Sequence, residues 1–199
     1  GGESDGEAVL DILATHPSTA RFVATKLVRR FVSDTPPAAL VDLVAVRFRE
    51  TGGDIREMVR TILTSPEFFA PGAYRTKVKT PFEFIASAVR ATGADVQDAT
   101  ALVRALQQLG MPLYSCQPPT GYKDTADAWV NTGALVGRMN FALSLAGGRV
   151  RGLGAGAEAS IDAILNGGVS DATRATIAKA TTAPQMAALT LGSPEFQRR

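Results

Sequence analysis

The chain has 199 residues, of which 45% are hydrophobic, and carries 21 Lys and Arg against 19 Asp and Glu. This length and apolar content suffice for the core of one domain or of two small ones. The net charge of +2 is too small for a dedicated nucleic-acid-binding protein, so we expect no nucleic-acid partner.

Cysteine and histidine each occur once, as Cys116 and His16. A single cysteine excludes a disulfide within the chain. One cysteine and one histidine are too few for a Cys/His zinc site, so we expect no metal and no other cofactor. A low cysteine content is compatible with a cytoplasmic protein and with an exported one. The longest apolar stretches, such as residues 141–146, are shorter than the roughly 20 residues that span a bilayer. Because the chain starts at Gly1 without a leader, we expect a processed or truncated part of a longer protein.

Helical periodicity recurs along the chain, starting near the N-terminus. Ser4 and Glu7 have the spacing of a capping box, which predicts a short helix over residues 6–14. Pro17 is suited to the first turn of a second helix, which we expect to run to residue 32. Three apolar residues of the first helix are expected to face inward: Val9, Ile12 and Leu13.

The next two helices are bounded by proline, glycine and aspartate. Residues 36–37 are both proline and open the third helix, and residues 52–53 are both glycine and end it. Asp54 is a suitable N-cap for a fourth helix. The fourth helix has a regular apolar face, formed by Ile55, Met58, Val59, Ile62 and Leu63.

The tetrapeptide Ser-Pro-Glu-Phe occurs twice, at residues 65–68 and 193–196, each time after an apolar helical segment. Serine is a good N-cap, proline suits the first helical position, and glutamate favours the positive end of a helix. We predict that each copy ends one helix and starts a short turn, with the phenylalanine packed beneath it. The alternative is a functional loop.

The remaining chain also predicts helices, separated by one long irregular stretch after Gly110. A Gly-rich segment, residues 152–156, is predicted to be a flexible linker. We therefore expect an all-α fold, an irregular bundle of about ten helices without significant sheet, with a main domain over 1–150 and a small helical appendage over 151–199. The further helices are predicted over 81–91, 96–109, from about 125, 131–146, 161–165, 171–180 and 184–191.

Several charged or titratable residues are candidates for a site. His16 would have to serve any Ser-His-Asp scheme, but it precedes a proline at a helix junction, which favours a structural position. Lys79, Glu83 and Arg90 have the spacing of one helical face and would form either a ligand-orienting cluster or ordinary surface ion pairs. We favour the structural interpretation in both cases.

The second helix has an unusual side on which Phe22 lies among Lys26, Arg29 and Arg30. Phosphate, sulfate or an acidic partner would fit such a basic strip. The interpretation that we favour is a second helix that covers Phe22 and leaves the basic groups at its rim.

The loop from Tyr114 to Trp129 has the densest collection of ligand-capable groups in the chain. Long loops of this kind either carry function or close over a core. We predict that any pocket lies beneath this loop, that Trp129 is buried, and that Arg138 and Asn140 approach from the next helix. The candidates in the loop are Tyr114, Cys116, Gln117, Tyr122, Lys123, Asp124, Asp127 and Trp129.

Several segments resemble a known family in their order and spacing. They are residues 5–10, 16–22, 26–32, 53–55, 77–84 and 119–124, both Ser-Pro-Glu-Phe copies, and Asp34, Trp129, Arg138, Asn140 and Phe141. Together they resemble the C-terminal half of the bacterial family called domain of unknown function 1800. Lys123 departs from that family, which usually has proline after the Gly-Tyr pair. The resemblance implies a helical, exported protein in the periplasm or outside the cell, about twice as long, often encoded beside a sulfatase-like family.

Two functions from different classes fit these observations. The first is a structural or partner-binding module, whose partner would be a sulfatase-like protein or the missing N-terminal half. Its binding surface would be Tyr122, Lys123 and Asp124 or the basic strip. The second is part of an enzyme that acts on a carbohydrate or an anionic ester, with Asp124, Tyr122 and Arg138 near the chemistry. We favour the first, because the sequence shows no nucleophile–base pair, metal cluster or phosphate loop.

Overall fold

A computed structural model describes residues 2–154, 164–165 and 168–199, and over these residues the protein is helical. The described residues form nine α-helices and no sheet, although isolated β-bridges join Val78 to Arg198 and Val96 to Leu153. The predicted all-α class is confirmed, and the expected number of about ten helices is close. Of the helix predicted over residues 161–165, residues 161–163 lie outside the described part.

The chain forms two compact units, residues 1–77 and residues 78–199. The sequence placed a boundary near residue 150 instead. The described residues that follow residue 164 belong to the same unit as residues 78–150, because they supply part of one apolar core. Its members from both sides of the predicted boundary include Phe84, Phe141, Leu145, Leu165, Ala188, Leu191 and Phe196.

The first unit is built from four helices, of which the second, third and fourth enclose its core. These helices are α1 Glu3–Thr15, α2 Pro17–Phe31, α3 Ala38–Thr51 and α4 Ile55–Leu63, followed by a 3-10 turn at Pro71–Ala73. The core side chains recur every three to four residues along α2, α3 and α4, which explains why the sequence predicted these helices well. They are Ala20, Ala24, Val28, Leu40, Val41, Val44, Ala45, Phe48, Met58 and Ile62.

Local hydrogen bonds fix the ends of these helices as predicted. The Asp54 carboxylate accepts hydrogen bonds from the backbone N–H groups of Arg56 and Glu57 at the start of α4. Gly52 ends α3 in the left-handed conformation, with φ of 63°. His16 is the exposed N-cap of α2, since its Nδ1 accepts a hydrogen bond of 3.1 Å from the N–H of Ser18. The structural interpretation of His16 is therefore confirmed.

Helix α1 differs from its prediction in two ways. It begins at Glu3, so Ser4 lies inside the helix and the predicted capping box with Glu7 is wrong; Gly2 occupies the N-cap without a side-chain hydrogen bond. None of its residues is buried, so the apolar side chains expected to face inward are exposed instead. The prediction failed because an amphipathic pattern identifies an apolar face but not what covers it.

The second unit contains five helices around the larger core. They are α5 Pro81–Ala91, α6 Thr100–Gln108, α7 Thr132–Ala146, α8 Asp171–Ile177 and α9 Ala183–Gly192, with a 3-10 turn at Ala126–Ala128. Helix α5 begins with a capping box between Thr80 and Glu83, and α7 begins at the N-cap Asn131. Helix α6 starts four residues later than predicted, because Val96 pairs with Leu153 rather than entering the helix.

The predicted flexible linker over residues 152–156 is wrong for its first three residues. The carbonyl of Gly152 accepts hydrogen bonds from the N–H groups of Gln97 and Asp98, and the N–H of Gly154 donates to Asp95. Gly152 has φ of 82°, and a Cβ there would lie 2.4 Å from the Asp98 carbonyl oxygen, so this turn requires glycine. Residues 155 and 156 lie outside the described part.

Both Ser-Pro-Glu-Phe copies form the predicted turn after a helix. The Ser65 hydroxyl accepts a hydrogen bond of 3.2 Å from the N–H of Phe68, and Ser193 accepts one of 3.2 Å from Phe196. The first copy follows the end of α4 and the second follows the end of α9. The prediction of helix punctuation is confirmed for both.

Candidate functional site

The loop between α6 and α7 is held by two aromatic side chains. Trp129 is only 7% exposed, and its Nε1–H donates a hydrogen bond of 2.9 Å to the Lys123 carbonyl. The Tyr122 hydroxyl donates a hydrogen bond of 2.6 Å to the Pro112 carbonyl, and the two rings meet edge to face at 6.1 Å. Burial, and after it the neighbouring Cys116, raises the pKa of Tyr122, so the phenol stays a proton donor. These contacts tie the two ends of the loop together.

A cavity of about 430 Å³ lies beneath this loop, where the sequence predicted a pocket. Its walls are mostly apolar, and Lys123 is the charged side chain among its lining residues. The lining comes entirely from the loop and its two ends. It consists of Gly110, Pro112, Ser115, Cys116, Gln117, Pro118, Gly121, Tyr122, Lys123, Ala128 and Trp129.

The predicted burial of Trp129 is confirmed, and three polar residues before it are at least partly exposed. Trp129 is buried, Lys123 is exposed, and Tyr122 and Asp124 are partly exposed. Tyr114 is fully exposed, has a positive φ of 57°, and is not among the residues that line the cavity. The loop therefore presents accessible polar groups around a fixed aromatic floor.

Arg138 does not approach the cavity, contrary to prediction. It is 1% exposed, and its guanidinium donates hydrogen bonds of 2.7 Å each to the Gln197 side chain and the Lys79 carbonyl. The guanidinium also lies 5.3 Å from the centre of the Phe84 ring. Burial lowers the pKa of Arg138 to about 10, although Glu83 acts in the opposite direction. Arg138 thus fastens α7 to residues 79 and 197.

Glu83 and Asp124 converge on the C-terminal Arg199 rather than on a cleft. Arg199 Nε lies 2.9 Å from Glu83 Oε1, and its Nη2 lies 3.9 Å from Asp124 Oδ1. The other oxygen of Glu83 accepts the N–H and hydroxyl of Thr80 in the capping box. Neither Glu83 nor Asp124 lines the loop cavity, so these acids hold the C-terminal segment in place.

Lys79, Glu83 and Arg90 do not lie on one face of a single helix, contrary to prediction. Lys79 precedes the first residue of α5, and its Nζ lies 3.8 Å from the centre of the Phe196 ring. The helical spacing was misapplied because Pro81 begins the helix.

Asn140 lines a second cavity, of about 290 Å³, beside α6 and α7. Gln108 and Ser144 contribute the other polar side chains there. The prediction that Asn140 approaches the loop pocket is therefore wrong. On a helix, Arg138 and Asn140 project about 200° apart, so they face different surroundings.

The basic strip of α2 lies on the side of the helix opposite to its buried residues. Phe22 is 58% exposed, and the Lys26 ammonium lies 5.4 Å from the centre of its ring. No helix of the first unit's described residues covers Phe22, so the favoured interpretation of a covering helix is wrong within that unit. Arg29 is more constrained, because its Nε donates to the Asp34 carbonyl at 3.3 Å.

Sequence reasoning missed the residues that form the far wall of the loop cavity and the contacts of the C-terminal segment. Pro112 and Gly110 are cavity wall, and Gln197 and Glu195 make buried or partly buried hydrogen bonds. The Gly-Met-Pro triplet at residues 110–112 was the available signal for the first pair. No local signal marks the second pair, because their partners are distant in sequence.

The fold and the site define an all-α protein with an open, mostly apolar pocket lined by the loop between α6 and α7. Within the described residues, no group of three or more His, Cys, Asp and Glu is placed to hold a metal ion. None of the described helices combines the length and the apolar character needed to cross a membrane.

Comparison with known proteins identifies the family. The family model described as "Protein of unknown function (DUF1800)" matches residues 1–198, and the chain belongs to this family. Neither the curated proteins nor the solved structures contain a match.

Proposed function

We propose that this chain is a partner-binding module and that the loop from Tyr114 to Trp129 is its docking surface. The observation that carries the proposal is the apolar cavity of about 430 Å³ beneath a loop that hydrogen bonds hold open. Ligand sites are typically concave, mostly apolar and already formed before binding, with few polar groups that fix orientation.

The hydrogen bonds within the loop support binding by a preformed site. Tyr122 and Trp129 each satisfy their polar atom against backbone of the same loop, so their rings are left as apolar wall. A wall that is ordered before binding spares the complex the entropy of ordering it, which favours affinity.

The lining also indicates what the partner presents. One apolar or aromatic side chain fits the proline and aromatic walls, and Lys123 at the rim favours a carboxylate next to it. We therefore propose an extended peptide segment of another protein, with an apolar residue flanked by an acidic one. The family resemblance makes a sulfatase-like protein a candidate source of that segment.

The enzyme alternative receives less support from the positions of its three candidate residues. Tyr122 uses its hydroxyl proton in the hydrogen bond to Pro112, Asp124 lies near Arg199, and Arg138 is buried against Lys79 and Gln197. A general acid or base must reach the reacting atom within hydrogen-bond distance. Of the three residues, only Tyr122 lines the loop cavity.

We also propose that the protein acts outside the cytoplasm, as the resemblance implies. Fractionation of the native cells tests this: the protein should appear with periplasmic or secreted proteins, and recovery with cytoplasmic enzymes would contradict the location.

The docking surface can be tested with a peptide library displayed on phage and panned against the chain. Selected peptides should share an apolar residue beside Asp or Glu. Because Trp129 is the one tryptophan and lines the cavity, binding there should change its fluorescence. Lys123→Glu should weaken these peptides about tenfold or more through charge repulsion.

Arg104→Glu is the matched control, because it makes the same charge change at an exposed position of α6 that does not line the cavity. It should leave affinity within about twofold. Peptides that bind without changing the Trp129 fluorescence, or that tolerate Lys123→Glu, would place the docking surface elsewhere. Failure to select any peptide would contradict the proposal too.

A further inference from the structure

The cavity of about 290 Å³ between α6 and α7 is separate from the loop cavity, because the two share no lining residue. Each helix contributes one of its faces. On α7, Asn140 and Ser144 line the cavity one helical turn apart, beside Phe141, and on α6 Ala105 and Gln108 have the same relation. Gln108 and Asn140 are exposed, so the cavity is open to solvent.

Small residues leave this space between the two helices. Ala101, Ala105 and Gly137 are among the lining residues and are too short to fill it. A Cβ at Gly137 would lie 3.0 Å from a methyl group of Leu109, so the glycine lets Leu109 pack close to the backbone of α7. Both helices also contact α5 and contribute to the core around it. Their spacing is therefore fixed by the fold and does not require a ligand.

The polar groups of the cavity are neutral. Gln108, Asn140 and Ser144 supply them, and none of the described residues that line the cavity is charged. In the part of the chain that the structure describes, none of these three side chains makes a hydrogen bond. A carboxamide both donates and accepts hydrogen bonds, and so does a serine hydroxyl. A ligand with hydroxyl groups matches such partners, whereas an ion would leave water without a countercharge.

We propose that this cavity binds a neutral sugar, at the size of one ring with several hydroxyl groups. The apolar wall around Ala105 and Phe141 meets the C–H groups of the ring, and the three polar side chains bind its hydroxyls. Ligand sites combine mostly apolar walls with a few placed polar groups, and a volume of about 290 Å³ is at the small end of their range. The proposal does not depend on the docking surface at the loop.

Two other neutral ligand classes fit these walls less well. A nucleobase needs an aromatic face for stacking. Phe141 is the one aromatic residue in the described lining, is only 8% exposed, and packs edge to face against Phe84 with 6.0 Å between the ring centres. An apolar chain would take the polar groups of Gln108 and Asn140 out of water without replacing their hydrogen bonds.

NMR spectroscopy of the full chain tests the site with defined probes: glucose, galactose, mannose and N-acetylglucosamine. At least one of these sugars should bind with a Kd of roughly 0.1 to 10 mM, the range expected for so small a ligand. Binding should shift the side-chain NH2 signals of Gln108 and Asn140. Inorganic phosphate and uracil, at the same concentration, should shift neither signal.

Two variants remove one amide each and nearly keep the size of the side chain: Gln108→Leu and Asn140→Leu. Each should weaken sugar binding at least about tenfold, because hydroxyls of the bound sugar lose their partner. Gln107→Leu is the matched control, since it makes the same change at the adjacent exposed position of α6, which does not line the cavity. It should keep the affinity within about twofold, because it touches no group of the site.

Lys123→Glu, which changes the loop cavity, should leave sugar binding unchanged and so distinguishes this proposal from peptide docking. The same spectra show whether each variant is folded. The absence of shifts with all four sugars, shifts confined to residues away from the cavity, or an affinity that survives both leucine substitutions would each overturn the proposal. Equal shifts with phosphate or uracil would overturn the assignment to a neutral sugar.

Discussion

The two Ser-Pro-Glu-Phe turns share a local structure and differ in everything around it. In both, the serine hydroxyl accepts the phenylalanine N–H at 3.2 Å, and both serines are 5% exposed. Phe196 is 4% exposed and packs edge to face against Phe84, whereas Phe68 is only partly buried. The same four residues therefore form the same turn but bury different amounts of surface.

The glutamates differ more than the phenylalanines. The Glu195 carboxylate accepts hydrogen bonds from the hydroxyls of Ser170 and Thr173 and from the Ser170 N–H, so it connects the turn to the start of α8. Within the described residues, the Glu67 side chain makes no hydrogen bond or ion pair. The comparison shows that a short motif fixes backbone geometry, whereas its contribution to stability depends on the residues that the fold brings to it.

The largest difference in stability loss is expected between alanine substitutions of the two phenylalanines. Phe196→Ala should lower the free energy of unfolding of the second unit by about 3 to 5 kcal/mol, because it leaves a cavity in the core. Phe68→Ala should cost the first unit roughly 1 to 2 kcal/mol, because less area is lost from burial. Native-state hydrogen exchange measures each unit separately. Equal losses would contradict the different burial of the two turns.

The glutamates should differ by a smaller amount that depends on pH. Burial raises the pKa of Glu195, but the hydrogen bonds from Ser170, from its own backbone and from Thr173 outweigh it and lower the pKa from 4.5 to about 2. The stabilisation is therefore present above pH 4.5 and is lost as the pH falls towards 2. At pH 7 Glu195→Gln should cost about 1 to 2 kcal/mol after allowance for solvent screening.

Glu67→Gln is the matched control and should change stability by less than about 0.5 kcal/mol at any pH. Denaturation curves of both variants and of the wild type between pH 7 and about pH 2 give the comparison. The difference in the free energy of unfolding between wild type and Glu195→Gln should become smaller as the pH falls. A difference that stays constant with pH would mean that the stabilisation from the hydrogen bonds to Glu195 does not depend on its charge.

The smallest difference is expected between the two serines, because their local geometry is the same. Ser65→Ala and Ser193→Ala should each cost roughly 0.5 to 2 kcal/mol, since each leaves one backbone N–H without its acceptor. Neither should affect binding of peptides at the loop cavity. Costs that differ by much more than about 1 kcal/mol, or a loss of peptide binding without a loss of stability, would show that the turns are not equivalent.

Local signals in the sequence determined the helices and most of their ends. Asp54 caps the helix that it was expected to cap, and Asn131 and Ser170 cap two further helices in the same way, because an N-cap hydrogen bond joins residues two or three positions apart. The position of the loop cavity was also predictable. The long stretch with several prolines does not form a helix, and long loops of this kind either carry function or cover a core. Its aromatic floor followed from Trp129 at the loop's end.

Tertiary structure alone decided which side chains each helix face meets. The apolar face of α1 was predicted to be buried and is exposed, and Arg138 was predicted to face the loop and lies between Lys79 and Gln197. Gln197 is 59 residues from Arg138 along the chain, so no local pattern records their contact. The sequence by itself determined where helices and turns form, because the interactions that stabilise them join residues close together in the chain. The partners of each buried polar group depend on contacts between distant segments, which only the folded chain establishes.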